Sequence, residues 1–242
     1  MSHKMHSTPE ELLLTSASLS PAQRSVLLRD FEHRSRAMSD ALYWMQVCTK
    51  TKDEQDPENP FKPFPSRPYF QDLVTAWNQE PILFVLKSRT LMATWLFSAL
   101  CLYHAMTHPA AVVLFMAQDE QRSLIPLDYA WTLWEQQEPM LQYVWPLDRP
   151  KDKQTYTVME LKNHSKLIAL PGKDPDKIRG FHPSVIFFDE AADHEQFGAA
   201  LDIALATRVP KLVAVSSAKP SDFCTLTETA QPVEWYAPWR CE

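Results

Sequence analysis

The chain has 242 residues, of which 45% are hydrophobic, and its formal net charge is −6. This length and apolar content predict one folded α/β domain with a sizeable core, and they exclude a disordered chain. The negative charge excludes a protein that coats nucleic acid, because such proteins bind phosphate backbones through an excess of Lys and Arg. The four cysteines have no paired Cys-x-x-Cys spacing, so neither a zinc site nor a disulfide framework is expected.

The first part of the chain predicts a helical arm. A capping-box start at Ser20 predicts a helix that runs to about residue 36, and a second short helix follows it. The segment 56–68 is dense in proline and is predicted to be irregular. We therefore expect an arm with a proline-rich linker at 1–60 and a larger domain at 61–242.

Short apolar runs alternate with helical stretches in the larger domain. Continuous apolar runs are typical of strands buried on both faces, as in a parallel sheet covered by helices. The predicted strands cover residues 82–86, 112–117, 184–188 and 211–215, with a hairpin formed by 155–161 and 166–170. The predicted helices cover 91–106, 124–137 and a stretch that ends near residue 207. The helix at 91–106 is apolar but too short to span a membrane.

Two adjacent acids, Asp189 and Glu190, directly follow the apolar run at 184–188. Open parallel sheets bind ligands at the carboxyl ends of their strands. One carboxylate of such a pair can hold Mg²⁺ while its neighbour activates a water molecule for phosphoryl transfer. A buried strand that ends in a solvated acid pair would give the same pattern, so the pair alone leaves both interpretations open.

The segment after the strand at 82–86 has the position of a phosphate-binding loop. The usual pattern is Gly, four residues of any type, and then Gly-Lys-Ser/Thr. Here Lys87 and Met92 stand at the two glycine positions and Ala93 at the lysine position. Thr94 fills the last position and can ligate Mg²⁺, while Lys87 can still reach phosphates. The amino terminus of the following helix offers free N–H groups to an anion. Without glycine, a positive φ in this loop is strained.

In combination, these residues resemble the ATPase domain of the large terminase subunit, the motor that packages DNA into the proheads of tailed phages. The loop from Lys87 to Thr94 is similar to a glycine-poor variant with a displaced lysine that some members have. Further similarities occur in the same order along residues 40–220. They are a segment leading into an adenine-reading Gln motif at 59–71, an arginine-bearing segment at 170–180, and a coupling motif at 213–218.

The resemblance implies a three-layer P-loop NTPase of the RecA-like, additional-strand type, with a mostly parallel central sheet. It implies ATP and Mg²⁺ as cofactors. The ATP-binding residues would be Gln71, Lys87, Ser88, Arg89, Thr90, Ala93 and Thr94. Thr94 and Asp189 would hold the metal, and Glu190 would activate water. Arg89 and Arg179 are the candidates for stabilising transition-state charge, and Ser216 and Ser217 for coupling.

Several of these assignments have a plain structural alternative. Gln71 could be a surface residue at the start of a helix, and Arg89 a solvent-facing loop residue. Arg179 could pair with an acid of its own loop, Asp174 or Asp176. Ser216 and Ser217 could merely cap the turn after their strand.

The resemblance also implies partners, namely double-stranded DNA, a small terminase subunit, the portal protein and further copies of the chain in a ring. It implies the host cytoplasm as the location and no membrane. Since few residues follow the coupling motif, we expect no nuclease activity in this chain. Two explanations stay open: the gene is split or truncated, or the nuclease is a separate chain that acts as a further partner. Two alternatives stay open: another P-loop motor such as a helicase, which normally continues into a second RecA-like domain, and a non-catalytic nucleotide-binding remnant, which the missing loop glycines would suit.

Overall fold

A six-stranded sheet lies at the centre of the computed structural model, which describes residues 20–88, 91–171 and 175–229. The sheet strands are β3 (Ile82–Lys87), β4 (Val112–Ala117), β5 (Val158–Glu160), β6 (Lys166–Pro171), β7 (Val185–Asp189) and β8 (Lys211–Ser217). Their order is β3-β8-β7-β4-β6-β5. Neighbouring strands are parallel except β5, which pairs with β6 in an antiparallel hairpin. The predicted mostly parallel sheet and its hairpin are therefore confirmed.

Helices cover both faces of this sheet. In the described residues they are α1 (Pro21–Ser39), α2 (Ala41–Cys48), α3 (Pro68–Gln79), α4 (Ala93–Thr107), α5 (Glu120–Gln136), α6 (Pro139–Val144), α7 (Phe197–Ala206) and α8 (Asp222–Thr229). Short 3-10 turns occur at Lys151–Lys153, Pro175–Gly180 and Ala191–Asp193. None of the described helices has both the length and the apolar character that a bilayer span requires.

Strand β7 shows why the core has two halves. Successive side chains of a strand point to opposite faces, and all five residues of β7 are buried. Val185 and Phe187 belong to the core half that includes α2 to α5. Ile186 and Phe188 belong to the half that includes α7 and α8. A continuous apolar strand thus forms the middle layer of a three-layer structure, as expected.

The proline-dense segment departs from the prediction, because it contains regular structure. Strand β2 (Phe61–Pro63) pairs antiparallel with β1 (Lys50–Lys52) in a separate two-stranded ribbon. Proline is tolerated in such a ribbon because each strand has one edge whose N–H groups need no ladder partner. The ribbon brings the chain that follows β2 back beside the carboxyl end of α2, where the Phe64 amide donates to the Thr49 carbonyl at 3.3 Å.

The prediction that a helix starts directly after Glu190 is also wrong. Glu190 has a left-handed backbone (φ 48°) and begins a 3-10 turn, and α7 starts only at Phe197. A left-handed residue cannot continue a right-handed helix.

The capping box predicted at Ser20 is confirmed. The Ser20 hydroxyl accepts from the Gln23 amide at 3.3 Å, and the Ser20 amide donates to the Gln23 side chain at 2.9 Å.

Candidate functional site

Three parallel strands end together at one edge of the sheet. In the register, Lys87 of β3 lies opposite Ser217 of β8, and Asp189 of β7 lies opposite Val215 of β8. Strand β8 therefore lies between the strand that leads into the phosphate loop and the strand that carries the acids. This order places the predicted lysine, acid pair and coupling serines at the same edge.

Lys87 and Glu190 form an ion pair in the middle of this edge. The Lys87 Nζ lies 2.7 Å from Glu190 Oε1, and the two side chains are 10% and 35% exposed. Burial tends to raise the pKa of Glu190, but the hydrogen bond and the charge of Lys87 outweigh it, so the pKa is lowered. Glu190 is therefore an ionised carboxylate held in place by an ammonium.

Thr94 and Asp189 form a second polar pair beside the first. The Thr94 hydroxyl donates to Asp189 Oδ1 at 3.0 Å. Asp189 is 7% exposed, and burial raises its pKa to about 6 even though the Thr94 hydrogen bond opposes the shift. Hydroxyl and carboxylate oxygens are the ligands that Mg²⁺ prefers, so the two oxygens of this pair suit a magnesium ion.

The end of β8 holds the second oxygen of Glu190. The Ser216 hydroxyl lies 3.3 Å from Glu190 Oε2, and the Ser217 amide and hydroxyl lie at 3.4 and 3.5 Å. Ser216 Oγ also accepts from the Ala192 amide at 3.1 Å, which fixes the turn after Glu190. Both predicted coupling serines thus contact the acid predicted to activate water.

The amino terminus of α4 faces the same edge. Its N-cap residue is Met92, whose backbone is left-handed (φ 53°) and whose side chain forms no capping hydrogen bond. The strained positive φ expected in a glycine-poor loop therefore falls on Met92. Helix amino termini without a capping side chain leave N–H groups for an anion. Thr94, in the first turn of α4, is on the same terminus.

The remaining predicted residues divide into three groups. Ser88 follows β3 directly and Ala93 is the buried first residue of α4, whereas Arg89 and Thr90 lie outside the described residues. Gln71 is exposed on α3 and lines a cavity of about 440 Å³ with His104 and His108. That cavity adjoins the carboxyl end of α4, opposite to the end that carries Thr94, so the structure does not bring Gln71 into the cluster.

Arg179 also lies apart from the cluster. It is in the 3-10 turn Pro175–Gly180, on the connection between β6 and β7, and its Nε donates to Asp176 Oδ1 at 3.0 Å. Its side chain is 59% exposed. Arg179 thus forms the ion pair within its own loop that was the alternative to a catalytic role. Its guanidinium stays exposed to solvent.

A second charged group at the same edge was missed from the sequence. Asp193 Oδ1 accepts from Lys219 at 2.5 Å, and Asp193 Oδ2 accepts from Arg122 at 3.3 Å. Arg122 lies in the first turn of α5, after β4, and Lys219 follows β8. Each basic residue comes soon after the carboxyl end of a strand, which is the sequence signal that could have identified them.

Comparisons with known proteins bear on the fold. No protein-family model matches the sequence, and no curated protein does. The HK97 bacteriophage large terminase matches 78% of this chain and 40% of its own length, with a TM-score of 0.59 and 15% identity. The ATPase domain of the Thermus phage P74-26 large terminase (TM-score 0.44, 16% identity, 64% of this chain and 70% of that one) and the large terminase of a thermophilic bacteriophage (TM-score 0.45, 15% identity, 63% and 39%) are also similar.

The chain therefore has the fold found in the HK97 large terminase, and it spans about two fifths of that protein's length. The resemblance inferred from the ordered motifs is confirmed at the level of the fold.

Proposed function

We propose that this chain is the ATPase motor part of a phage terminase, which hydrolyses ATP to drive double-stranded DNA into a prohead. The main support for this proposal is that two polar pairs, Lys87 with Glu190 and Thr94 with Asp189, lie together at the amino terminus of α4. A cation, a hydroxyl, two carboxylates and free helix amides are the groups that phosphoryl transfer from a nucleotide requires. The terminase fold supports the motor assignment.

The binding step follows from charge. The Lys87 ammonium and the amides at the start of α4 would bind the nucleotide phosphates, with Ser88, Arg89, Thr90 and Ala93 forming the rest of the loop. Thr94 and Asp189 would hold Mg²⁺, which supplies charge neutralisation of the phosphates when bound. Gln71 instead lines the cavity beside the carboxyl end of α4, so we assign it no part in this binding step.

In the chemical step Glu190 acts as general base. Its carboxylate would take a proton from a water molecule whose oxygen attacks the γ-phosphorus, while the bond from that phosphorus to the bridging oxygen breaks and leaves ADP. Ser216 and Ser217 orient the carboxylate and would transmit the loss of the γ-phosphate to β8. Arg89 and Arg179 are proposed to stabilise the negative charge that develops.

The motor function implies partners and a location. We propose double-stranded DNA, a small terminase subunit, the portal protein and further copies of this chain in a ring as partners, in the host cytoplasm. A helicase-like motor and a non-catalytic remnant are the alternatives. A non-catalytic remnant would bind nucleotide at most, and binding alone does not require a general base. The ionised Glu190, which contacts three groups of β8 and Lys87, therefore favours the catalytic alternative.

The test is phosphate release from Mg·ATP by the parent chain and by Glu190→Gln. The substitution keeps the shape of the side chain but removes the base, so turnover is expected to fall by roughly 10²-fold or more while nucleotide binding persists. Glu195→Gln is the matched control, since Glu195 is exposed five residues further along the chain and its loss is expected to leave turnover unchanged. Equal turnover in the parent and Glu190→Gln would exclude Glu190 as the base, and no turnover in any form would favour the remnant.

A further inference from the structure

Three metal-binding side chains from separate parts of the chain meet away from the nucleotide edge. They are His33 of α1, Cys48 at the end of α2, and Glu138, which precedes α6. One ligand atom of each lies within 4.8 Å of the others. The sequence separates them by 15 and 90 residues, which is why no metal-binding spacing is visible before folding.

The distances between these atoms suit a tetrahedral site. His33 Nε2 lies 2.9 Å from Glu138 Oε2 and 3.9 Å from Cys48 Sγ. Zinc bonds of the usual lengths place neighbouring tetrahedral ligands roughly 3.4 to 3.6 Å apart. The third pair, Cys48 with Glu138, lies within 4.8 Å, so side-chain shifts of up to about 1 Å would convert the observed arrangement into a coordination sphere.

Backbone contacts hold two of the ligands in position. The Glu138 amide donates to the Cys48 carbonyl at 3.1 Å, so these two residues are adjacent whatever their side chains do. The neighbouring Gln137 accepts from the Trp44 indole at 3.2 Å in a buried contact, which also ties α2 to this turn. Cys48 is 3% exposed, so its sulfur approaches His33 from the interior of the protein.

The second nitrogen of His33 has the partner that a metal-bound histidine needs. His33 Nδ1 lies 2.7 Å from the Tyr43 hydroxyl. An Nδ1–H that donates to this hydroxyl leaves Nε2 free to bind a metal and fixes the orientation of the ring. The Glu138 side chain is 43% exposed, so solvent water can reach the cluster.

We propose that His33, Cys48 and Glu138 form a site for a zinc-class divalent cation with water as the fourth ligand. Thiolate and imidazole ligands favour zinc over magnesium or calcium. A bound dication would supply the positive charge that favours the thiolate form of Cys48. The proposal does not depend on the proposed ATPase function.

The site gives α1 an anchor that its packing lacks. Among the described residues of α1 only Ala37 is buried, and Val26, Leu27, Leu28 and Phe31 are 52 to 69% exposed. A metal bridging His33 to Cys48 and Glu138 would tie α1 to the body of the domain. Its role would be structural.

The experiment is a titration of the metal-free full chain with Co²⁺, a spectroscopic substitute for zinc. We expect one equivalent to produce a thiolate-to-cobalt charge-transfer band and the intense visible bands of a four-coordinate ion, both reversed by Zn²⁺. Cys48→Ser removes the charge-transfer band, whereas Cys224→Ser, which changes another free thiol, keeps it. Tyr43→Phe weakens binding by about tenfold, because it removes only the hydrogen bond behind His33.

Folding is checked by circular dichroism in each variant, and His33→Gln provides a second ligand variant at a less buried position. Zinc is also expected to slow tryptic cleavage after Arg29 and Arg34 of α1 in the parent but not in Cys48→Ser. The proposal is overturned if the folded parent gives no charge-transfer band, or if Cys48→Ser keeps the band that the parent shows. These readouts involve no nucleotide, so a failed ATPase assay leaves them unaffected.

Discussion

Lys87 has a partner that nucleotide phosphates would have to displace. Its ammonium donates to Glu190 at 2.7 Å, and its side chain is only 10% exposed. Phosphate oxygens reaching this edge compete with the carboxylate for the same three N–H donors. Binding would therefore loosen Glu190 from Lys87 and leave its carboxylate to the serines of β8. We expect the proposed base to become available only when nucleotide is present.

His194 makes the free energy of unfolding of the chain depend on pH. It is 5% exposed and packs edge-on against Phe188. The carbonyls of Met116 and Asp189 lie near the ring, but neither ring nitrogen has a hydrogen bond of normal geometry. Burial lowers its pKa from 6.5 to about 4. The unfolded chain therefore binds a proton between these pH values that the folded chain does not, and stability is lost as the pH falls through this window.

We predict that His194→Phe removes this loss. On going from pH 7 to pH 5, the free energy of unfolding of the variant relative to the parent rises by roughly 2 kcal/mol. Urea denaturation of both proteins at the two pH values measures the difference, in which the other titrating groups cancel. A difference that is the same at both pH values would show that the pKa of His194 is the same in the folded and the unfolded chain.

At the scale of elements, the position of β8 between β3 and β7 gives the coupling serines their contacts. Ser216 is fully buried, and its hydroxyl connects Glu190 to the Ala192 amide. Ser217 reaches the carboxylate with its backbone amide and, at 3.5 Å, with its hydroxyl. Only the Ser217 amide contact is independent of the side chain.

We predict that Ser216→Ala costs roughly 1 to 3 kcal/mol of stability, because it leaves the Ala192 amide without its acceptor. Turnover falls by up to about a hundredfold as Glu190 loses its orientation, while the nucleotide affinity changes little. Ser217→Ala is the matched variant and changes both quantities far less. Chemical denaturation and phosphate release measure the two effects, and equal behaviour of the two variants would refute a positioning role for Ser216.

The sequence predicted the strands better than the segments between them. Strands β4, β7 and β8 are continuous apolar runs with both faces buried, and β3 is an apolar run with one face buried and the other half-buried. Such runs can be recognised in a sequence without knowledge of the strands that pair with them. The break after Glu190 depends on one left-handed residue that is not glycine, which composition does not reveal. Pairing of β2 with β1 depends on a contact across the proline-dense segment, and local propensity carries no information on it.

The candidate site was predictable to the extent that its residues end strands. Lys87, Asp189 and Ser217 all do so, and parallel strands bring their carboxyl ends together. The cluster of His33, Cys48 and Glu138 combines three elements that no local pattern relates. The Asp193 group depends likewise on the packing of the turn after β7 against the first turn of α5.

At the scale of the whole molecule, the exposed Arg179 bears on assembly. In a ring of copies a guanidinium on the outside of one subunit can reach the γ-phosphate bound by its neighbour, and such arginines contribute on the order of 10³ to 10⁵ in rate. We predict that Arg179→Ala binds ATP normally as a single chain but fails to be stimulated on assembly. Lys177→Ala, on the same 3-10 turn, is the control.

Mixing Arg179→Ala with Glu190→Gln subunits distinguishes action between subunits from action within one. If Arg179 acts on its neighbour, some activity returns at interfaces that pair an intact Glu190 with an intact Arg179. Mixed rings that form but stay inactive would restrict Arg179 to its ion pair with Asp176 or to its own subunit.

Calorimetric titration of the folded chain with Mg·ATP tests most directly whether the edge formed by β3, β8 and β7 is a nucleotide site. We predict binding that requires Mg²⁺ and that Lys87→Met weakens by roughly 10- to 100-fold, since a hydrogen bond from a charged group is lost. Lys177→Met is expected to bind like the parent. Absence of binding by the well-folded parent at millimolar Mg·ATP, or binding that Lys87→Met leaves unchanged, would show that this edge is not the nucleotide site proposed.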